Sequence, residues 1–92
     1  MLSLKFTGQF KKDYKQALKR GCDPDKLWEI ITLLADGKSL PASNRDHALT
    51  DSRIYKNMRE CHIEPDWLLI YRIEFDMLLL KLVRTGSHSD LF

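Results

Sequence analysis

The three histidines of this 92-residue chain all lie in its second half, each near an acid or an arginine. The pairs are Asp46 with His47, His62 with Asp66, and Arg84 with His88. Imidazole is the side chain that most readily gives or takes a proton near neutral pH. Three imidazoles accompanied by carboxylates and a guanidinium predict acid–base chemistry on an anionic substrate, provided that the fold brings them together.

The segment around Pro65 is the first place where two of these groups would meet. Pro65 fixes a bend, which would present His62 and Asp66 together at the mouth between two strands. A carboxylate beside an imidazole orients its tautomer and raises its basicity. The alternative is an ordinary surface turn with a hydrogen-bonded histidine.

The C-terminal segment supplies the second candidate. Gly86 would let the chain turn after Arg84 and return His88 to the same edge. Arginine grips a phosphate with two parallel N–H donors and stabilises charge that develops on it. A frayed tail is the alternative, although the apolar pair Leu91–Phe92 could dock the terminus.

A metal centre is a rival arrangement for the same side chains. The residues that could surround a zinc ion are His47, His62, Asp66 and His88. None of these histidine pairs has the compact His-x-x-x-His spacing of a helical site, and Arg84 would sit poorly beside a cation. The sequence therefore favours chemistry without a metal or another cofactor. His47 lies in a long predicted loop and by itself does not indicate a particular chemistry.

Length and composition predict one soluble domain spanning residues 1–92. The chain is 43% hydrophobic and 30% charged, and it contains no apolar run near the roughly 20 residues that span a bilayer. Because the first residues lack the apolar stretch of a secretory signal, we expect a cytoplasmic protein with no membrane association. Cys22 and Cys61 are then two reduced thiols.

The net charge of +2 is unevenly distributed. Residues 1–20 contain six lysines or arginines and a single acid, Asp13. Such a basic face attracts phosphate, and Lys11, Lys12 and Lys15 are its candidate residues for contact with a nucleic acid. A solvated helix face without a partner is the alternative.

The pattern of apolar residues predicts the elements that must position these groups. Alternation over residues 2–6 indicates a strand, and helical spacing follows from Thr7 to Gly21 and from Asp23 to Gly37. Residues 38–52, which include Asp51, are typical of an irregular loop. Three further strands are predicted from Arg53 to His62, Trp67 to Phe75 and Met77 to Arg84, with a turn at residues 74–77. The result is a two-layer α+β fold, β-α-α-β-β-β, with both helices on one face of a mainly antiparallel sheet.

Three segments in this order resemble the YafQ branch of the RelE/ParE toxin superfamily. They are Asp46 to Leu49, Arg59 to Tyr71 and Arg84 to Phe92. The resemblance implies a RelE-like fold and the toxin of a type II toxin–antitoxin system, a ribosome-dependent endoribonuclease that cuts mRNA in the A site of the 70S ribosome. It also implies a cognate antitoxin, usually of ribbon–helix–helix type. The family's site positions correspond to His47, His62, Asp66, Trp67, Arg84, His88 and Phe92.

RNA cleavage of this kind uses the adjacent 2′-OH as nucleophile and leaves a 2′,3′-cyclic phosphate. We expect His88 to lead the proton transfer with His62 and Asp66 as partners, while Arg84 holds the phosphate and His47 positions or protonates. Trp67 and Phe92 would stack on bases. The alternative for both is packing in the core or at its rim, and it applies more to Trp67 than to Phe92. A module that binds the ribosome or an antitoxin without cutting RNA is the alternative function.

Overall fold

Two helices packed on one face of a five-stranded sheet make up most of the protein in the computed structural model, which describes residues 1–50 and 52–92. Helix α1 spans Gly8–Lys19 and begins where the Thr7 hydroxyl accepts the N–H of Phe10 at 2.9 Å. Helix α2 spans Pro24–Ala35, with the Asp23 carboxylate as its N-cap. Both helices begin directly after Thr7 and Asp23, the residues from which the sequence predicts helical spacing.

The strands are β1 Ser3–Phe6, β2 His47–Ala48, β3 Arg59–Glu64, β4 Trp67–Glu74 and β5 Leu79–Gly86. They lie in the order β1-β5-β4-β3-β2. Only the pair of β1 with β5 is parallel, and the others are antiparallel. The predicted α+β class and the mainly antiparallel sheet are confirmed. A short third helix, α3 His88–Leu91, follows β5.

Alternation along the strands divides the apolar side chains between two cores. The larger core lies between the helices and the sheet, where Leu69, Tyr71 and Leu80 meet the buried faces of α1 and α2. The smaller one lies on the opposite sheet face, which we call the far face. This C-terminal core consists of Tyr55, Leu68, Ile70 and Leu91. The chain terminus is thus docked on the far face by Leu91.

Several predicted boundaries are wrong. The extended run predicted from Arg53 is a strand only from Arg59, because Asn57 has a positive φ of 62° that breaks an extended chain. The predicted loop contains the two-residue strand β2, and the C-terminal segment, for which no helix was predicted, contains α3. Phe75, predicted as the last residue of the strand that begins at Trp67, is 75% exposed in a 3-10 turn. Asp51, part of the predicted loop, lies outside the described residues.

Both cysteines are free, as predicted, and they differ in burial. Cys61 has no exposed surface, and burial raises the pKa of its thiol to about 12. The thiolate is the reactive form, so we expect an alkylating reagent at mildly alkaline pH to modify Cys22 in the native protein and Cys61 only after unfolding. Mass mapping of the modified peptides checks this. Equal labelling of both thiols in the native state would contradict the buried position.

None of the helices in the described part of the chain is long and apolar enough to cross a bilayer.

Candidate active site

Strand register brings the polar side chains of three strands onto the far face. One row runs His47, Glu60, Ile70, Arg84 from β2 to β5, and the next runs His62, Leu68, Gly86. Side chains directly opposite each other on paired strands share a face. Because Ile70 and Leu68 belong to the C-terminal core, both rows lie on the far face. The fold therefore brings His47 and His62 together, as the sequence requires of an acid–base site.

Glu60 lies between these two imidazoles. Its Oε1 atom is 3.7 Å from Nε2 of His47 and 3.5 Å from Nε2 of His62, and the residue is only 7% exposed. The other ring nitrogens face backbone carbonyls: Nδ1 of His47 lies 2.7 Å from the Arg45 oxygen, and Nδ1 of His62 lies 3.2 Å from the Pro65 oxygen. With Nδ1 donating to a carbonyl, Nε2 is the nitrogen left to exchange protons beside the carboxylate.

Glu60 is not among the candidate site residues that the sequence indicates. The signal was present, since Glu60 and His62 are two positions apart in a strand and so point to the same face, with Cys61 pointing into the main core.

The loop that carries His47 is held against the sheet by hydrogen bonds. Asp46 accepts the hydroxyl of Tyr71 and two N–H groups of Arg59, the latter at 3.3 Å each. Burial and then the bond to Asp46 raise the pKa of the Tyr71 hydroxyl, which stays a donor. Asn44 donates to the backbone oxygen of His62 at 2.7 Å. These bonds fix His47 in a segment that has only two residues of strand.

Asp66 meets His88, whereas the sequence suggested His62 as its partner. Its Oδ1 atom accepts the backbone N–H of His88 at 3.1 Å, while the His62 ring faces the Pro65 carbonyl. Asp66 therefore holds the first residue of α3 in place. An acceptor at the first N–H groups of a helix satisfies donors that have no partner within the helix.

Helix α3 is docked on the far face of the sheet, so the C-terminal segment is not a frayed tail. Leu91 is buried in the C-terminal core, and the Tyr55 hydroxyl donates to its carbonyl at 2.8 Å. Phe92 stacks on the His88 ring with a centroid distance of 5.0 Å and packs edge-on against Tyr55 at 5.4 Å. Phe92 remains 52% exposed, so part of its ring is open to solvent beside His88.

Arg84 is engaged by an acid of α1. Its Nε and Nη2 atoms each donate to the Asp13 carboxylate at 3.0 Å, and the bond raises the pKa of the guanidinium. The same carboxylate accepts the N–H of Thr85 at 3.2 Å, at the part of β5 that extends beyond β1. A phosphate would have to use Nη1 or displace Asp13.

The remaining predicted RNA contacts fall outside this cluster. Trp67 is 5% exposed and its Nε1 donates to the Thr85 hydroxyl at 2.9 Å, so the indole is a core residue with no free face for a base. This geometry corrects the stacking prediction for Trp67. Lys11, Lys12 and Lys15 are exposed on α1, which covers the opposite face of the sheet from the histidines.

Comparison with known proteins places this chain and its fold in a defined class. The model of the bacterial toxin of type II toxin–antitoxin systems, YafQ, matches residues 2–92. The chain therefore belongs to the YafQ family of toxins. The mRNA interferase toxin YafQ of Escherichia coli (strain B / BL21-DE3) is 44% identical over 90 residues, covering 97% of this chain and 94% of that protein.

Solved structures agree over the whole chain. A metal-bound toxin from Helicobacter pylori has a TM-score of 0.92 and 40% identity, with 100% of both chains covered. YafQ in the E. coli DinJ–YafQ complex has a TM-score of 0.88 and 43% identity, covering 100% of this chain and 99% of that one. The predicted RelE-like toxin fold is confirmed by these neighbours.

Proposed function

We propose that this toxin is an mRNA interferase, an endoribonuclease that cuts mRNA in the A site of the translating 70S ribosome. The observation that carries the proposal is the cluster on the far face, where Glu60 lies beside the Nε2 atoms of His47 and His62. Helix α3 adds His88 on the same face, because it is docked there through Leu91. The relative named mRNA interferase toxin YafQ supports the assignment.

The chemistry proposed for this cluster needs two proton transfers and one charge stabiliser. The 2′-oxygen attacks the phosphorus as its proton passes to a base, the bond to the 5′-oxygen breaks, and an acid protonates that oxygen. His88 serves one transfer and the unit of His62 with Glu60 serves the other. Arg84 binds the phosphate oxygens with the donors that Asp13 leaves free or releases. His47 orients the substrate on the other side of Glu60.

Two further contacts would hold the RNA. The half-exposed ring of Phe92 lies next to His88 and offers a face for an unstacked base. Lys11, Lys12 and Lys15 lie on a different surface from the histidines, which suits contact with ribosomal RNA while the mRNA occupies the far face.

The proposed partners follow from the same family. E. coli YafQ forms a complex with DinJ, and we propose a cognate antitoxin of ribbon–helix–helix type for this chain. The toxin would act in the cytoplasm, where its ribosomes are. An adjacent reading frame whose product copurifies with the toxin would support the pairing.

Translating ribosomes programmed with a defined mRNA provide the test. We expect cleavage only on the ribosome, with 2′,3′-cyclic phosphate and 5′-hydroxyl ends, and no loss of rate when zinc and copper are chelated with Mg²⁺ retained. Fragments with 5′-phosphate ends, or a rate that needs zinc, would contradict the mechanism. Intact mRNA with a ribosome-bound toxin would establish the non-catalytic alternative.

Glu60 gives a prediction for this site. Glu60→Gln keeps the shape of the side chain but removes the charge beside both Nε2 atoms, so we expect cleavage to fall by roughly 10²-fold. The measurement is the single-turnover rate on ribosomes. Glu74→Gln, on the next strand and paired with Arg72, is the matched control and should cleave normally. Equal rates for the two variants would remove Glu60 from the site.

A further inference from the structure

We propose that Arg20, at the end of α1, is a positioning residue that sets the placement of His88 through the carboxylate of Asp90. This role rests on the proposed function, since it assigns Arg20 to the placement of a group in that reaction. Arg20 lies 70 residues away in sequence and on another element from the residue that it holds.

The contact is a two-pronged ion pair. Nη1 of Arg20 lies 2.5 Å from Oδ2 of Asp90, and Nη2 lies 3.2 Å from Oδ1. Two parallel N–H bonds to one carboxylate fix its orientation as well as its position. The bonds from Arg20 and then from Ser87 hold the pKa of Asp90 well below its usual range. The pair of Arg20 with Asp90 therefore remains ionised at the near-neutral pH of the proposed reaction.

The carboxylate that Arg20 grips also closes the first turn of α3. Oδ2 of Asp90 accepts the Ser87 N–H at 2.9 Å, and the Ser87 hydroxyl accepts the Asp90 N–H at 3.2 Å. In this capping box a shift of Asp90 moves the start of the helix, where His88 is the first residue. The preceding Gly86 leaves room for it: a β-carbon there would lie 3.0 Å from Oδ2 of Asp90.

Helix α3 has unequal support on its two sides. On one side Leu91 is buried in the C-terminal core. On the other side a cavity of about 380 Å³, lined by both Arg20 and Asp90, separates α1 from the residues that open α3. Polar bonds replace apolar packing there, from Arg20 to Asp90 and from the His88 N–H to Asp66. Without the Arg20 bond, the end that carries His88 would lose one of these two ties.

Arg20→Gln tests the proposal, with Lys26→Gln as the matched control. The control breaks the exposed pair of Lys26 with Glu64, at 2.7 Å, which does not involve α3. For Arg20→Gln we expect kcat to fall roughly 10- to 100-fold with KM unchanged, because a small displacement of a catalytic group has that effect. The NMR signals of the His88 ring, shifted by the stacked Phe92, should move toward those of a mobile histidine. The control should match the parent protein in each measurement.

A conservative variant supplies the rescue. Arg20→Lys keeps a positive charge beside the Asp90 carboxylate and leaves the capping box intact, so we expect it to retain more of the parental kcat than Arg20→Gln does. Parental kcat and an unmoved His88 signal in Arg20→Gln would overturn the proposal, and so would a raised KM with normal kcat, which would make Arg20 an RNA contact. If the parent protein does not cut mRNA, the proposed function fails, and the NMR signal still decides whether Arg20 places His88.

Discussion

Replacing His88 with alanine is expected to reduce mRNA cleavage on translating ribosomes by roughly 10²- to 10⁴-fold, the contribution of one proton-transfer group. Helix α3 should remain docked, because Leu91, the Asp90 carboxylate and the backbone N–H bound by Asp66 do not involve the imidazole. The loss should therefore appear in the single-turnover rate and as relief of growth arrest, with an unchanged circular dichroism spectrum.

Two further variants help to interpret the result for His88→Ala, one as a control and one as a second test of the site. Ser89→Ala lies on the same short helix and removes only a hydroxyl that bonds to Ser87, so it should cleave normally. Asp66→Ala removes the acceptor that holds the His88 N–H and should also relieve growth arrest while the protein stays folded. Full toxicity of both His88→Ala and Asp66→Ala would show that the site lies elsewhere.

Local rules were enough to predict most of the fold. The helical spacing of apolar residues that starts at Thr7 and at Asp23 locates α1 and α2 within a few positions. The alternation that begins at Trp67 defines β4 because every second side chain enters the main core. These elements are long enough for periodicity to identify them, and each buries one continuous face.

The elements that sequence reasoning missed depend on distant partners. Tyr55 was predicted within a strand, yet its hydroxyl bonds to the carbonyl of Leu91, which is 36 residues away. Strand β2 has two residues and α3 has four, which is too short for any period to show. Such segments take their shape from what they dock on, and that surface exists only after the sheet has formed.

The residue types of the site could be predicted better than their partners. The sequence indicated the three histidines as candidates, and the strand register places His47 and His62 on one face of the sheet. The sequence suggested His62 as the partner of Asp66, whereas the Asp66 carboxylate accepts the backbone N–H of His88. It also selected Arg84 without Asp13, since nothing local links residues 71 positions apart.

Variants of the Arg84–Asp13 pair should separate an effect on the cleavage rate from an effect on the free energy of unfolding. Arg84→Lys keeps the positive charge but loses the planar fork, and we expect cleavage to fall by roughly 10²- to 10³-fold. Asp13→Asn keeps an acceptor for the Thr85 N–H and leaves the guanidinium intact, so the rate on ribosomes should stay near that of the parent. Its effect should be a lower free energy of unfolding, by about 1–3 kcal/mol, because a charged hydrogen-bonded pair is lost.

The two variants distinguish three roles for the guanidinium when rate and unfolding free energy are both measured. If Arg84→Lys cleaves at nearly the parental rate, Arg84 ties α1 to β5 and does not hold the phosphate. If Asp13→Asn is as slow as Arg84→Lys while both remain folded, the carboxylate is needed to aim the guanidinium, and the pair acts as one unit. Loss of rate in Arg84→Lys alone means that the guanidinium holds the phosphate without needing Asp13 to aim it, either through Nη1 or through the two donors that Asp13 releases.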